Sequence, residues 1–204
     1  MAMASIESGD MDRYLEVLRN DPVEIDLLAK DLLINVTSFF RDPSVFAYLE
    51  TKIVPDLVRN HSPEQPLRIW IAGCSTGEET YSLAMLFREQ ITIAKRRIKL
   101  QVLASDIDPE AVEGAREGLY PHTIEADVSP ARLARFFTKE KHGYRVSAEL
   151  RTSVVFTVQD LLADPPFSRI DLVSCRNLLI YLRPEAQVKA IAAYVASPAF
   201  LAPR

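Results

Sequence analysis

Between Leu67 and Glu79 the chain reads Leu-Arg-Ile-Trp-Ile-Ala-Gly-Cys-Ser-Thr-Gly-Glu-Glu, an apolar strand pattern that stops at a glycine, and Tyr81 to Gln90 then continues as a helix. Strand, glycine loop and helix in that order belong to parallel α/β sheets, where ligands meet the carboxyl ends of the strands. Only six glycines occur in 204 residues, so two within five positions carry information. A nucleotide-phosphate loop would follow its last glycine with Lys and Ser or Thr, whereas this one ends in Glu78 and Glu79, which repel phosphate. The dinucleotide fingerprint is also short of its third glycine. Two carboxylates here suit a ligand that is cationic and lacks phosphate, such as S-adenosylmethionine with its ammonium and sulfonium. The alternative is that they only favour the positive end of the helix.

The rest of the chain extends the pattern. Ile98 to Ser105 is a second strand ending at Asp106, with Asp108-Pro109 capping the next helix. That leaves Asp106 to accept hydrogen bonds from ribose hydroxyls, or to act as a turn residue. Gln159-Asp160-Leu161 follows a strand at 154–158, where Asp160 can meet an adenine amine. Ile170 to Cys175 is the last strand, and Cys175-Arg176-Asn177 through Tyr181 puts polar groups just past it. Tyr181 could equally be a packing aromatic. Two short helices are expected between Met11 and Leu33, and Asp42-Pro43 reads as the N-cap of a helix running to Arg59. Further helices are expected from Pro130 to Phe137 and from Pro184 to about Ala196.

Composition removes several classes of function. The net charge of −4 argues against a basic nucleic-acid sleeve. Two distant cysteines and three scattered histidines offer neither a metal site nor a disulfide framework. No apolar run approaches a bilayer span, and the N-terminus lacks a signal-peptide pattern, so no membrane insertion and a cytoplasmic location are expected. The basic run Lys95-Arg96-Arg97 reads as a solvated helix end without assigned function.

Four blocks in this order resemble the CheR family of chemotaxis-receptor glutamate methyltransferases: Asn35-Val36-Thr37-Ser38-Phe39-Phe40-Arg41-Asp42, Gly73 to Glu79 with Tyr81-Ser82, Ser105 to Asp108, and Ser174 to Tyr181. The resemblance implies a Rossmann-like sheet that binds S-adenosylmethionine and releases S-adenosylhomocysteine, with no metal. It also implies a helical region over 1–60, an α/β domain over 61–204 and a small antiparallel insert at about 121–153. Within that insert, Tyr144-Arg145-Val146 is expected to form a hairpin with Val154-Val155-Phe156. The implied substrates are glutamate side chains on the cytoplasmic signalling helices of receptors, converted to methyl esters.

By position, Asn35, Thr37 and Arg41 would meet the cofactor, with Arg41 also orienting the carboxylate. Gly73 would let the cofactor approach the backbone, Glu78 or Glu79 would hold its methionine end, and Asp106 its ribose. Asp160 and Leu161 would flank the adenine, where the family commonly has Asn for Asp160. Cys175, Arg176 and Asn177 would lie near the cofactor, and Tyr181 would line the methyl-transfer cavity. Family members continue past the last helix with further strands, so the sheet is expected to be incomplete at its C-terminal end, its edge covered by a helix, the tail or a second subunit in a homodimer. Two rivals stand beside this reading. One is a regulatory module that binds the cofactor without turnover. The other is a nucleic-acid adenine methyltransferase, suggested by Asp164-Pro165-Pro166-Phe167, although that tetrapeptide precedes its strand and reads here as a rigid turn.

Overall fold

A computed structural model describes residues 11–32 and 36–195. The chain divides into two compact units, 1–36 and 37–204. The first contains α1 (Met11–Asn20) and α2 (Pro22–Leu32), the two short helices expected from periodicity. Buried Tyr14 donates from its hydroxyl to Glu24 at 3.2 Å, tying one helix to the other.

In the second unit, α3 (Pro43–Tyr48) runs through a π-helical turn at Leu49–Ile53 into α4 (Val54–Asn60). Pro55 has no amide to donate to the carbonyl four residues back, and the widened turn lies immediately before it. Four parallel strands follow in the order β6-β2-β1-β7: β1 (Leu67–Ala72), β2 (Leu100–Asp106), β6 (Val154–Val158) and β7 (Leu172–Ser174). Helices α5 (Glu78–Ile93) and α6 (Pro109–Glu117) follow β1 and β2. The expected α/β fold with a parallel sheet is therefore present. β1 pairs with β2 on one side and β7 on the other, so the strand order reverses there and opens a crevice at the carboxyl ends.

The insert lies between α6 and β6. It contains β3 (Leu119–Tyr120), α7 (Pro130–Phe136), β4 (Phe137–Glu140), β5 (Gly143–Val146) and α8 (Ala148–Arg151). Its antiparallel sheet has the order β3-β5-β4, which corrects the expected hairpin. Tyr144 faces Lys139 in β4, whereas Val154 to Val158 pair with β2 in the main sheet. Phe137-Thr138-Lys139-Glu140 has only one strongly apolar side chain, so nothing local marked it as a strand. The chain closes, among the described residues, with α9 (Pro184–Val195).

Alternation along β1 sends Leu67, Ile69 and Ile71 into the larger core with α5, and Trp70 and Ala72 to the opposite face with Leu103 and Ile170. Phe167 covers that second cluster, its ring edge-on to Trp70 with centroids 5.2 Å apart. Asp164 turns back, its carboxylate accepting from the Asp160 amide at 2.8 Å. The Asp-Pro-Pro-Phe segment is thus a folded turn whose aromatic ring plugs a sheet face.

Candidate functional site

The glycine loop is held from below. The amides of Gly73 and Cys74 donate to the Ser105 carbonyl at 2.8 and 3.0 Å, that of Ser75 to Asp106 Oδ2 at 2.7 Å, and that of Gly77 to the Cys74 carbonyl at 2.9 Å. With those four donors committed to protein acceptors, the loop is a poor cradle for phosphate. Gly77 lies in the left-handed region at φ +93°, and a Cβ there would stand 2.9 Å from Ala115 Cβ and 3.0 Å from the Tyr120 hydroxyl. Its glycine therefore serves close packing beneath the loop, while Gly73 backs onto Leu178. Tyr120 fixes the same loop by donating to the Thr76 carbonyl at 2.7 Å.

Two acids open α5, and their surroundings differ. Glu79 accepts from Ser174 Oγ at 2.5 Å and from Arg176 at 3.3 Å. Desolvation raises its pKa, and those two groups together with the charge of Arg41 pull it back. Glu78 accepts from Thr76 Oγ1 at 2.7 Å, and its pKa is raised by desolvation with only hydrogen bonds opposing. Glu78 is thus a partly desolvated acid with no countercharge among the described residues, a suitable partner for a cationic ligand.

Asp106 ends β2 with Oδ2 on the Ser75 amide and Oδ1 on the Asp108 amide at 3.1 Å. Each carboxylate oxygen has a second acceptor position, so hydroxyls of a ribose can still be met. Asp108 caps α6 as expected, accepting from Glu110 and Ala111. Asp42 does not cap α3. It sits at φ +60° with no side-chain cap, and its carboxylate pairs with Arg176 at 2.7 Å. The cap expectation failed because a cation 134 residues away in sequence, beyond any local window, takes the carboxylate instead of the helix amides.

Arg176 joins the two halves of the site. One arm meets Glu79; the other donates to the Arg41 carbonyl at 2.8 Å and to Asp42. The turn bearing Arg41 is thereby drawn to the end of β7. Of the other expected residues, Asp160 uses Oδ1 to accept from the amides of Leu162 and Ala163. Leu161 and Cys175 pack against the Trp70 cluster. Asn177 is exposed at φ +57°, and Tyr181 is 59% exposed in a short 3-10 turn at Leu179–Tyr181. Thr37 is half-buried, and Asn35 lies outside the described residues. Cys74 is buried beside Asp106, Glu78 and Glu79, which pushes its thiol pKa up and keeps it neutral. No metal-holding group of His, Cys, Asp and Glu occurs among the described residues.

Sequence reasoning missed Ser174, Tyr120 and the pairing role of Asp42. Their spacing has no local signature, because their partners come from distant elements.

A glycine loop with committed amides, a desolvated acid and an acid ending β2 define the class: a Rossmann-like domain fitted for a cationic nucleoside. Residues 35–197 match the family model described as CheR methyltransferase, SAM binding domain, and the chain belongs to that family. It is 47% identical over 182 residues to an uncharacterized 104.1 kDa protein of Rhodobacter capsulatus, the match covering 89% of this chain and 19% of that one. It is 34% identical to the chemotaxis protein methyltransferase of Escherichia coli, covering 95% and 67% respectively. For the chemotaxis protein methyltransferase of Borreliella burgdorferi the identity is 33%, covering 82% and 62%. The chain thus spans about a fifth of the first relative and about two thirds of the others.

Proposed function

We propose that this chain catalyses methyl transfer from S-adenosylmethionine to glutamate carboxylates on the signalling helices of chemotaxis receptors. The observation that carries the reading is the network in which Glu79, Arg176 and Asp42 bring the Arg41 turn against the crevice between β1 and β7. The cofactor supplies a sulfonium-bound methyl group whose leaving group is a neutral thioether. Glu78 is assigned to its ammonium, Asp106 to its ribose and Asp160 Oδ2 to its adenine amine. Glu79, already paired with Arg176, orders the site.

A glutamate side chain is ionised at neutral pH, so the reaction needs no general base. What the chain must provide is a held carboxylate in line with the methyl group. Arg41 does this with a planar fork matched to carboxylate, and Tyr181 lines the approach. Tight neutralisation would blunt the nucleophile, so Arg41 orients more than it binds.

Calorimetric titration with the cofactor and a methyl-ester assay on receptor fragments test the reading. Arg41→Ala should lower turnover about a hundredfold and change cofactor affinity by less than about threefold. Wild-type turnover in that variant would remove Arg41 from the reaction. Cofactor binding by the wild type without ester formation would favour the regulatory module, and methylation of DNA or RNA instead would favour the adenine methyltransferase.

A further inference from the structure

Arg132 belongs to α7 of the insert, remote in sequence from every block of the resemblance. Its guanidinium lies over the ring of Phe40, 4.6 Å from the centroid. Phe40 meets Phe46 edge-on with centroids 5.3 Å apart, and Arg176 covers the Phe46 ring at 5.2 Å. The order is cation, ring, ring, cation, and the residues it encloses are those of the turn that carries Arg41.

That turn is strained. Phe40 and Asp42, on either side of Arg41, both occupy the left-handed region, at φ +51° and +60°. Non-glycine residues persist there only when their surroundings hold them. Backbone contacts supply part of the hold: the Phe40 amide donates to Ser82 Oγ at 3.1 Å, and Val45 and Phe46 donate to the Asp42 carbonyl. Arg132 supplies a rigid lid. Its Nε lies 3.0 Å from Glu89 Oε1 and one terminal nitrogen 2.8 Å from Glu89 Oε2, a bidentate pair, and the same nitrogen reaches Glu50 at 2.7 Å. Two carboxylates, from α5 and from the π-helical turn, therefore fix the plane of the guanidinium before it meets the ring.

We propose that Arg132 is a positioning residue for methyl transfer, clamping Phe40 against Phe46 and Arg176 so that the left-handed turn holds Arg41 at the crevice. This rests on the role of Arg41 given above. It assigns the insert a part in the reaction that does not depend on what docks against it.

The test compares the wild-type chain with Arg132→Met and Arg132→Lys. Amide hydrogen exchange is read in the cofactor-free protein, with turnover and cofactor affinity read separately. In Arg132→Met, exchange at the Phe40, Val45 and Phe46 amides should rise at least about tenfold while amides of β1 and β2 stay within about twofold. Turnover should fall at least about tenfold with cofactor affinity within about threefold, and Arg132→Lys should recover part of both losses. Unchanged exchange in the turn overturns the clamp. Raised exchange with unchanged turnover upholds the clamp as a structural contact and overturns the positioning role. Raised exchange in a chain whose wild type makes no receptor ester sinks the receptor reading while the clamp stands. Should exchange rise everywhere in Arg132→Met, Phe40→Leu, which keeps both carboxylate partners of Arg132 and removes the ring, decides by the same measurements.

Discussion

Glu78 and Glu79 are adjacent, of one residue type, and both raised in pKa by desolvation, yet the structure separates them. Arg176 and Ser174 answer the second, while the first has Thr76 and a backbone hydrogen bond but no cation among the described residues. Because the folded chain holds protons on these acids more tightly than the unfolded chain does, cofactor-free stability falls as pH climbs above the ordinary 4.5 and levels off once both are ionised. Glu78→Gln keeps an acceptor for Thr76 and removes the buried charge. At neutral pH the cofactor-free variant should melt about 2–4 °C higher and bind S-adenosylmethionine at least about tenfold more weakly. Calorimetry on variant and wild type at pH 5 and pH 7 checks both directions. A variant that melts lower would place a countercharge beside Glu78.

At the scale of elements, the glycine loop and the C-terminus of α4 show how local reading and tertiary packing share the work. A glycine loop at a strand's carboxyl end suggests open backbone for a ligand, but at Gly77 the space a Cβ would fill holds Ala115, Tyr120 and Phe156. Gly77→Ala should therefore cost about 2–4 kcal/mol of stability in urea denaturation, from strain at positive φ together with overpacking. A variant that loses only cofactor affinity would restore the first expectation. Arg96, set aside as a solvated charge, donates to the carbonyls of Val58, Arg59 and His61 at the end of α4. It meets two carbonyls in the last turn of that helix and the carbonyl of its C-cap, so Arg96→Met should cost about 1–3 kcal/mol in the same experiment. The basic run alone carried no sign of this, since the helix end lies more than thirty residues upstream.

At the scale of the molecule, the sheet is covered unequally. One face is packed by α5, while the Trp70 cluster on the other is closed in part by Phe167 from a loop. Phe167→Ala should cost about 1–3 kcal/mol, less than a fully buried ring, and should leave ester formation on receptor fragments in place. Lost methylation with unchanged stability would instead return the Asp-Pro-Pro-Phe segment to the reaction. β7 is an outer strand of the sheet, and the segments after it expose Ile180, Tyr181, Val188 and Ile191. A second copy pairing along that edge would give a sedimentation coefficient that rises with concentration, whereas a constant monomer value would exclude the homodimer.

The sequence by itself determined the strands of the parallel sheet, the glycine loop, the cap at Asp108 and the family, because each depends on residues within a few positions of one another: a short apolar run buried on both faces, a turn needing glycine, a carboxylate beside its own helix amides. The tertiary structure alone decided the partners of charge. Asp42 left its helix for Arg176, Glu79 acquired a cation that Glu78 did not, and Arg132 crossed from the insert to Phe40. Ion pairs and ring contacts depend on distance in space, and chain order constrains that distance only after the sheet has brought remote segments together.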